Sequence, residues 1–331
     1  IHTVAAGGGS ILQFDGARLR VGPDSAGADP GPACYGNAGP LAVTDANVLL
    51  GKLRPEFFPH VFGPQGDEPL HVEATRLAFE RLADEVATST GSPTTPEDLA
   101  EGFLAIAVDN MANAIKKISV QRGHDVTDHT LVCFGGAAGQ HACLVADRLG
   151  ISRIHVHPHA GVLSALGIGL ADTRHVVDEA VEAELNTHLL GSLDQTWANL
   201  GGRARQNLTA QGLDPATVSL TRRMALRYQG SDTVLRVEAG PLADVIQAFE
   251  ASHRAQFGFI SPEKTIVVES VQVEAVSAGE DVPPVVAGDG GRELGTFDAV
   301  MDGRGVGTRF LERPAPDTEP VTGPAVIVDR T

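Results

Sequence analysis

Two glycine-rich turns are the residues of this sequence best suited to chemistry. The first glycine turn is Ala-Gly-Gly-Gly-Ser at residues 6–10, and the second glycine turn is Phe-Gly-Gly-Ala-Ala-Gly-Gln-His at residues 134–141. Each follows a short apolar run, which predicts a strand entering a loop whose backbone N–H groups can contact a phosphate. Neither turn matches the G-x-G-x-x-G or the G-x-x-x-x-G-K-[ST] pattern. The pair, with a helix after the second turn, predicts a nucleotide held between two loops.

Three ionisable side chains could take part in catalysis near these turns. Asp29 and Asp45 could hold Mg²⁺ through water or polarise an attacking nucleophile. An aspartate in a Pro/Gly loop or just before a helix can equally serve as a turn former or a cap. His141 begins the helix after the second glycine turn, where it could contact a substrate or a metal, or satisfy backbone groups. The sequence leaves both interpretations of each residue open.

A histidine cluster and a cysteine offer further chemistry. His155, His157 and His159 alternate, so a continuous strand would place them on one face, a geometry that a transition metal could use. Pro158 is expected to end the strand first, which favours a hydrogen-bonding or cleft-lining role for His159. Cys34 could be a nucleophile, but no basic residue lies near it in sequence to activate it.

The first glycine turn is predicted to belong to a hairpin. Residues 3–6 and 11–21 have the pattern of strands that pair around the first glycine turn, with Asp15-Gly16 as a second tight turn. The stretch 22–44 that follows is rich in Gly, Pro and Asp and is long for a loop in a compact domain. Its place beside the first glycine turn favours a functional loop.

A long helix is predicted between the two turns. Thr95 precedes Pro96, which suits the first helical position, and Asp98 can complete a capping box. Apolar residues then recur near helical spacing as far as Gly123, which supplies a stop.

The second glycine turn is predicted to lie in an α/β layer. Residues 130–134 have the pattern of a buried strand, 138–149 of a helix and 151–156 of another strand. This strand–turn–helix–strand order is typical of α/β proteins. A helix of small residues is expected to follow at 161–171.

The sequence changes character after Asp172, which predicts a second domain. The expected elements are charged helices at 176–190 and 193–211, strands at 219–237, a helix at 243–257, strands at 265–278 and a flexible stretch at 282–292. We therefore expect an α/β domain at 1–175 and an α+β domain at 176–331, the latter incomplete at its end.

The composition excludes several classes of protein. A chain of 331 residues suits two domains, and 42 acidic against 25 basic residues give a net charge of −17. This charge opposes binding to nucleic acid or to an anionic membrane. No apolar stretch approaches the roughly 20 residues that span a bilayer. The three cysteines show no C-x-x-C spacing, which fits a reduced, cytoplasmic protein.

Several residue strings together resemble one family. They lie at residues 6–10, 22–36, 43–47, 110–115 and 134–141. These strings span most of residues 1–175 and resemble the hydantoinase A/oxoprolinase family. Within that family, the runs at 139–143, 155–167 and 226–232 are most similar to ATP-dependent 5-oxoprolinase.

The resemblance implies a fold and cofactors. The family is similar to the ribonuclease-H-like ATPases of the actin, sugar-kinase and heat-shock-chaperone type, in which two halves clasp ATP. It implies a ribonuclease-H-like half-domain followed by the α+β domain, with ATP and Mg²⁺ as cofactors. Family members carry an Asp-x-Gly-Gly-Thr turn near their N-terminus, which this chain lacks. An N-terminal segment with that turn and a hydantoinase B-type half are expected partners, and the isolated chain is expected to be inactive.

The resemblance also implies roles for individual residues. A phosphate loop would be formed by Gly7, Gly8, Gly9 and Ser10, and an adenosine loop by Gly135, Gly136 and Gly139. The catalytic groups would be Asp29, Asp45 and His141, and the substrate contacts would be His159 and Ser164. No metal ligand is assigned.

The implied reaction is the opening of the lactam of 5-oxo-L-proline to L-glutamate. A lactam is a resonance-stabilised amide, so its opening requires coupling to ATP. Phosphorylation of the amide oxygen gives an activated imidate that water attacks, and ADP and phosphate are released. An ATP-dependent hydantoinase (N-methylhydantoinase), a ketone carboxylase subunit and a nucleotide-gated binding module without covalent chemistry remain alternatives. A homo-oligomer is expected.

Overall fold

The computed structural model describes residues 6–121, 123–279, 291–315 and 318–329. The chain divides into two compact units, one formed by Ile1–Ser164 with Pro284–Thr331 and the other by Ala165–Pro283. The division expected at residue 175 differs from these units, because strands near the C-terminus pack with the first unit. In the described parts of the chain, no helix is both long and apolar enough to cross a membrane.

The first unit begins with a hairpin at Asp15-Gly16, the second of the two turns expected in this region. Strand β1 (Ser10–Phe14) pairs antiparallel with β2 (Leu19–Ser25). The turn forms because Asp15 Oδ1 accepts from the N–H groups of Ala17 (3.0 Å) and Arg18 (2.9 Å), and Gly16 adopts a positive φ of 90°. The expected Asp15-Gly16 turn is confirmed, whereas most of the strand expected at residues 3–6 lies outside the described residues.

Three helices follow and carry the first core. They are α1 (Val43–Leu49), α2 (Val72–Thr90) and α3 (Pro96–Gln121). The predicted start of α3 is confirmed: the Asp98 N–H donates to Thr95 Oγ1 at 3.0 Å, and Thr95 Oγ1 donates to Asp98 Oδ2 at 2.7 Å. Phe79, Phe103 and Leu50 are buried together where the three helices meet.

The predicted strand–helix–strand order is also confirmed. Strand β3 (Leu131–Cys133), helix α4 (Ala142–Leu149) and strand β4 (Ile154–Val156) follow in sequence, and the two strands pair in parallel. Apolar side chains pack α4 against α3, with Val145 and Ala112 buried between them. The small-residue helix α5 (Leu163–Leu170) comes next.

The second unit is an antiparallel sheet packed with helices. Its elements are β5 (Thr173–Glu184), α6 (Thr187–Ser192), α7 (Asp194–Ala210), β6 (Val218–Tyr228), β7 (Leu235–Glu238), α8 (Leu242–Phe257) and β8 (Ile266–Ser277). The strand order is β5-β8-β6-β7, and one core containing Trp197, Met224 and Phe249 joins sheet and helices.

The prediction of a helix at 176–190 is wrong, because most of that segment belongs to β5. This strand lies at the edge of the sheet and pairs with β8 along its length, for example Val177 with Val273. Sheet pairing overrides the helical preference of its Glu and Ala residues, and acidic side chains on an edge strand oppose pairing with other chains.

The C-terminal strands belong to the first unit and were not expected from the sequence. Strand β9 (Glu293–Met301) pairs antiparallel with β10 (Arg304–Glu312), which pairs in parallel with β11 (Ala325–Val328). The Val300 N–H donates to the Leu50 carbonyl at 2.8 Å, and the rings of Phe57 and Phe310 stack at 5.5 Å. The flexible stretch expected at 282–292 lies largely outside the described residues.

Candidate functional site

The structure brings the two glycine turns together. A Cβ placed on Gly8 of the first turn would lie 3.3 Å from the Cβ of Ala137 in the second turn. It would also lie 2.7 Å from Thr44 Oγ1, so glycine is required for this close approach. The two turns that the sequence singled out are therefore neighbours in space.

Helix α1 fixes the first glycine turn from one side. The backbone N–H and Oγ1 of Thr44 both donate to the Gly8 carbonyl, at 2.8 and 2.9 Å. Within the turn, Ser10 N–H donates to the Gly7 carbonyl and Gly7 N–H donates to Ser10 Oγ, both at 3.0 Å. The carbonyl of Gly9 accepts from the N–H of Ala26 at 2.8 Å. These hydrogen bonds connect the turn to α1 and to the residue after β2.

Several glycines of the two turns have free space at the position where a side chain would be. At Gly7, Gly135, Gly136 and Gly139, no described heavy atom beyond their chain neighbours lies within 4 Å of the position that a Cβ would take. Gly135 has a φ of +96° and donates its N–H to the Ala160 carbonyl at 2.8 Å. Open glycine backbone allows the close approach that a phosphate requires, so these turns fit a nucleotide.

Asp45 organises the loop between β2 and α1. It is completely buried, and its carboxylate accepts from the N–H groups of Ala33 (3.0 Å), Cys34 (2.7 Å) and Ala42 (2.8 Å) and from Thr75 Oγ1 (3.0 Å). Burial raises the pKa of Asp45, although these hydrogen bonds oppose the increase. Both oxygens of the Asp45 carboxylate are therefore engaged by donors of the protein, and the catalytic role expected for this residue stays a prediction.

Asp29 lies beside the first glycine turn. It is exposed in a turn two residues after Gly27, and the backbone nitrogen of Gly27 would lie 3.9 Å from a Cβ on Gly9. Asp29 is therefore two residues from backbone that packs on the first turn, and it is accessible to solvent.

His141 is a buried, neutral imidazole. Its exposure is 2%, and neither ring nitrogen has a hydrogen-bond partner among the described residues. Burial, with a smaller effect of the Lys52 charge, lowers the pKa of His141 to about 4. The side chain lines a cavity of about 320 Å³ between α3, β3 and α4, and no other described lining residue carries a side-chain nitrogen. A buried polar group without a partner is unusual and marks a candidate functional site.

The other expected substrate contacts lie at the surface beside the second turn. His159 is exposed and precedes Ala160, whose carbonyl binds Gly135, and Ser164 is exposed in the first turn of α5. Strand β4 ends at Val156, before His157 and His159. Among the described residues, no group of three or more His, Cys, Asp or Glu could hold a metal.

Burial also argues against Cys34 as a nucleophile. It is completely buried, and burial together with the Asp45 charge raises the pKa of its thiol far above the ordinary value.

One contact between the turns was not expected. Asn47 of α1 is completely buried and donates from Nδ2 to Oε1 of Gln140, at 2.8 Å. Helix α1 thus contacts Gly8 through Thr44 and the second glycine turn through Asn47. The string at 43–47 was among those that carried the family resemblance, but its sequence alone did not indicate which groups it would join.

The fold and site define a mixed α/β protein with two adjoining glycine turns. Residues 1–177 match the Hydantoinase/oxoprolinase family. The chain belongs to this family, as its residue strings predicted.

Two named relatives agree with this assignment. The chain is 41% identical to a 5-oxoprolinase of Saccharomyces cerevisiae over 83% of its length and 36% identical to a 5-oxoprolinase of Dictyostelium discoideum over its whole length. It spans only 22% and 27%, respectively, of those relatives.

A solved structure shares the fold. The ATP-dependent caprolactamase from Pseudomonas jessenii superimposes with a TM-score of 0.74 at 26% identity, over 97% of this chain and 48% of that one. The similarity extends over both compact units of the chain.

Proposed function

We propose that this chain is the nucleotide-binding part of an ATP-dependent 5-oxoprolinase, which opens 5-oxo-L-proline to L-glutamate. The observation that carries the proposal is the close approach of Ala137 to Gly8, which brings together two glycine turns distant in sequence. Such a pair suits the phosphates of one nucleotide held between two loops. The first unit would then be one half of a ribonuclease-H-like ATP clamp.

The chain's own residues fit ATP better than they fit a metal. In the phosphate loop formed by residues 7–10, the N–H groups of Gly8 and Gly9 have no partner among the described residues and would hold phosphate oxygens, whereas those of Gly7 and Ser10 already donate within the turn. Gly135, Gly136 and Gly139 would form the adenosine loop on the other side, with the N–H of Gly135 held by the Ala160 carbonyl. Mg²⁺ is usually bound by phosphates, water and one or two carboxylates, and here it would neutralise charge on the transferred phosphoryl group. The accessible carboxylate of Asp29 could hold it through water, whereas Asp45 has no free oxygen.

His141 would act as the neutral base or hydrogen-bonding group near the reacting amide. Its lowered pKa keeps the imidazole neutral at neutral pH, which suits hydrogen bonding to the substrate and makes the ring a weak base. The apolar cavity beside it would exclude bulk water and so protect an activated amide. His159 and Ser164 would contact the substrate from the surface beside the second turn.

The relatives favour 5-oxoproline over other cyclic amides. The identity to proteins named 5-oxoprolinase is 36–41%, against 26% to the caprolactamase. Because the chain spans about a quarter of those relatives, we propose that an N-terminal segment with the other phosphate turn and a hydantoinase B-type half complete the cytoplasmic, homo-oligomeric enzyme. The isolated chain would be inactive.

The test is product release by the chain joined to those remaining segments. ADP and glutamate would be measured with 5-oxoproline, ATP and Mg²⁺, and parallel reactions would contain hydantoin, caprolactam, or acetone with bicarbonate. Equal amounts of ADP and glutamate are expected. ADP release only with another substrate would move the assignment to a sister activity, and the absence of any substrate-dependent ADP release would contradict an ATP-coupled reaction.

A further inference from the structure

The amide of Gln140 is held in one orientation by α1. Asn47 is completely buried and donates its Nδ2 hydrogen to Gln140 Oε1 at 2.8 Å. With Oε1 engaged in this way, Nε2 lies on the other side of the planar amide. It meets no acceptor in the parts of the chain that the structure describes. In this arrangement Gln140, which is half-buried, has its Nε2 donor available to a ligand.

This donor lies at the meeting point of the two glycine turns. Gln140 closes the short 3-10 turn Ala138–Gln140, and its N–H donates to the carbonyl of Ala137 at 3.2 Å. Ala137 is the residue that approaches Gly8, and Thr44, three positions before Asn47 on α1, binds the Gly8 carbonyl. The donor is thus attached to the same framework that positions both turns.

We propose that Gln140 Nε2 donates a hydrogen bond to a phosphoryl oxygen of the bound nucleotide and that Asn47 is its positioning residue. This inference rests on the proposed function. An amide suits the role because Nε2 donates without adding charge, and a hydrogen bond to a charged oxygen is stronger than one between neutral groups. Asn47 sets which end of the amide faces the ligand.

Two substitutions separate this role from a structural one. Gln140→Met keeps the length of the side chain but removes the donor. Asn47→Asp removes the donor to Oε1 and offers acceptors, so that Gln140 Nε2 turns towards residue 47 and Oε1 faces the ligand. Gln206→Met, at an exposed position of α7, is the matched control.

The experiment is calorimetric binding of ATP and of adenosine to the chain joined to its remaining segments. Gln140→Met is expected to weaken ATP binding about tenfold and to leave adenosine binding unchanged, in line with the loss of one charge-assisted hydrogen bond. Asn47→Asp should weaken ATP binding at least as much, and Gln206→Met should change neither affinity. Thermal unfolding of each variant checks that it is folded.

The outcomes distinguish this inference from the proposed function. The role of Gln140 alone would be overturned if the wild type binds ATP and Gln140→Met shows no selective loss of ATP affinity. An equal loss of affinity for ATP and adenosine would overturn it as well. Absence of ATP binding by the wild type would overturn the proposed function and this inference with it. If Asn47→Asp does not fold, Gln140→Met still decides the question.

Discussion

The first glycine turn contains two neighbouring glycines in opposite environments. A Cβ at Gly8 would meet Thr44 Oγ1 at 2.7 Å, whereas at Gly7 it would meet no described atom within 4 Å beyond the chain neighbours. Gly8→Ala is therefore expected to destabilise the first unit by about 1–3 kcal/mol through overpacking. Gly7→Ala is expected to change stability by less than about 0.5 kcal/mol. Urea unfolding of both variants checks this, and equal effects would contradict the close packing around Gly8.

Burial of His141 predicts a loss of stability in acid. The pKa of His141 is about 4 in the folded chain and 6.5 for an unperturbed histidine, so between these values the unfolded chain binds more protons. The stabilisation is fully present above about pH 6.5 and is lost as the pH falls towards 4. A difference of this size corresponds to about 3 kcal/mol.

The measurement is the free energy of opening of α4 between pH 7 and pH 4.5, obtained from hydrogen exchange after correction for the intrinsic pH dependence of amide exchange. His141→Leu should reduce the fall of this free energy in acid, because leucine does not titrate. His188→Leu, at an exposed position, is the control and should retain it. The same dependence in His141→Leu would show that another group is responsible.

At the residue scale, the sequence identified the two glycine turns but did not reveal the hydrogen-bond partners of Asp45. Glycine turns can be recognised because only glycine suits a close backbone approach, and the structure places them together. Whether Asp45 is a catalyst or a structural acceptor depends on four donors from three separate segments, which no local pattern reveals. Asn47 was missed for the same reason, since its partner Gln140 lies on another element.

At the element scale, the start of α3 offers a direct test of a sequence-predicted cap. Thr95→Ala removes the hydroxyl that accepts from Asp98 N–H and donates to its carboxylate, so we expect a loss of about 1 kcal/mol. Thr94→Ala, one position earlier, is the control and should have little effect. Urea unfolding measures both, and similar losses would contradict the capping role.

Elements with local signals were predicted well, and those set by distant pairing were not. Helix α3 begins at a cap and a proline that lie next to each other in sequence, and Gly123, the expected stop, has a positive φ of 71° shortly after the helix ends. Strand β5 has no such signal, because its conformation is decided by β8, about a hundred residues away. The β9–β10 hairpin likewise depends on contacts with residues near the start of the chain.

At the scale of the whole molecule, the C-terminal strands contribute to the core of the first unit. Phe310 is 1% exposed, its ring packs on Phe57 and Phe297, and Arg54 lies 4.2 Å from the Phe297 ring. The second unit has a separate core that contains Trp197. A destabilising substitution in β10 should therefore lower the stability of a segment more than two hundred residues earlier. It should leave the stability of the second unit, which precedes β10 directly, unchanged.

Phe310→Ala tests this division. Loss of a fully buried ring is expected to destabilise the first unit by about 3–5 kcal/mol, so hydrogen exchange in α1 and α3 should accelerate while α7 and β8 of the second unit keep their protection. Ile327→Ala on β11, where the side chain is 45% exposed, is the matched control and should cost about 1 kcal/mol or less. Faster exchange in α7 and β8 with unchanged exchange in α3 would instead assign the C-terminal strands to the second unit, as the sequence had suggested. If exchange accelerates only in α1 and α3, the first unit is built from both ends of the chain. The glycine turns of the candidate nucleotide site then depend for their stability on the strands at residues 293–312.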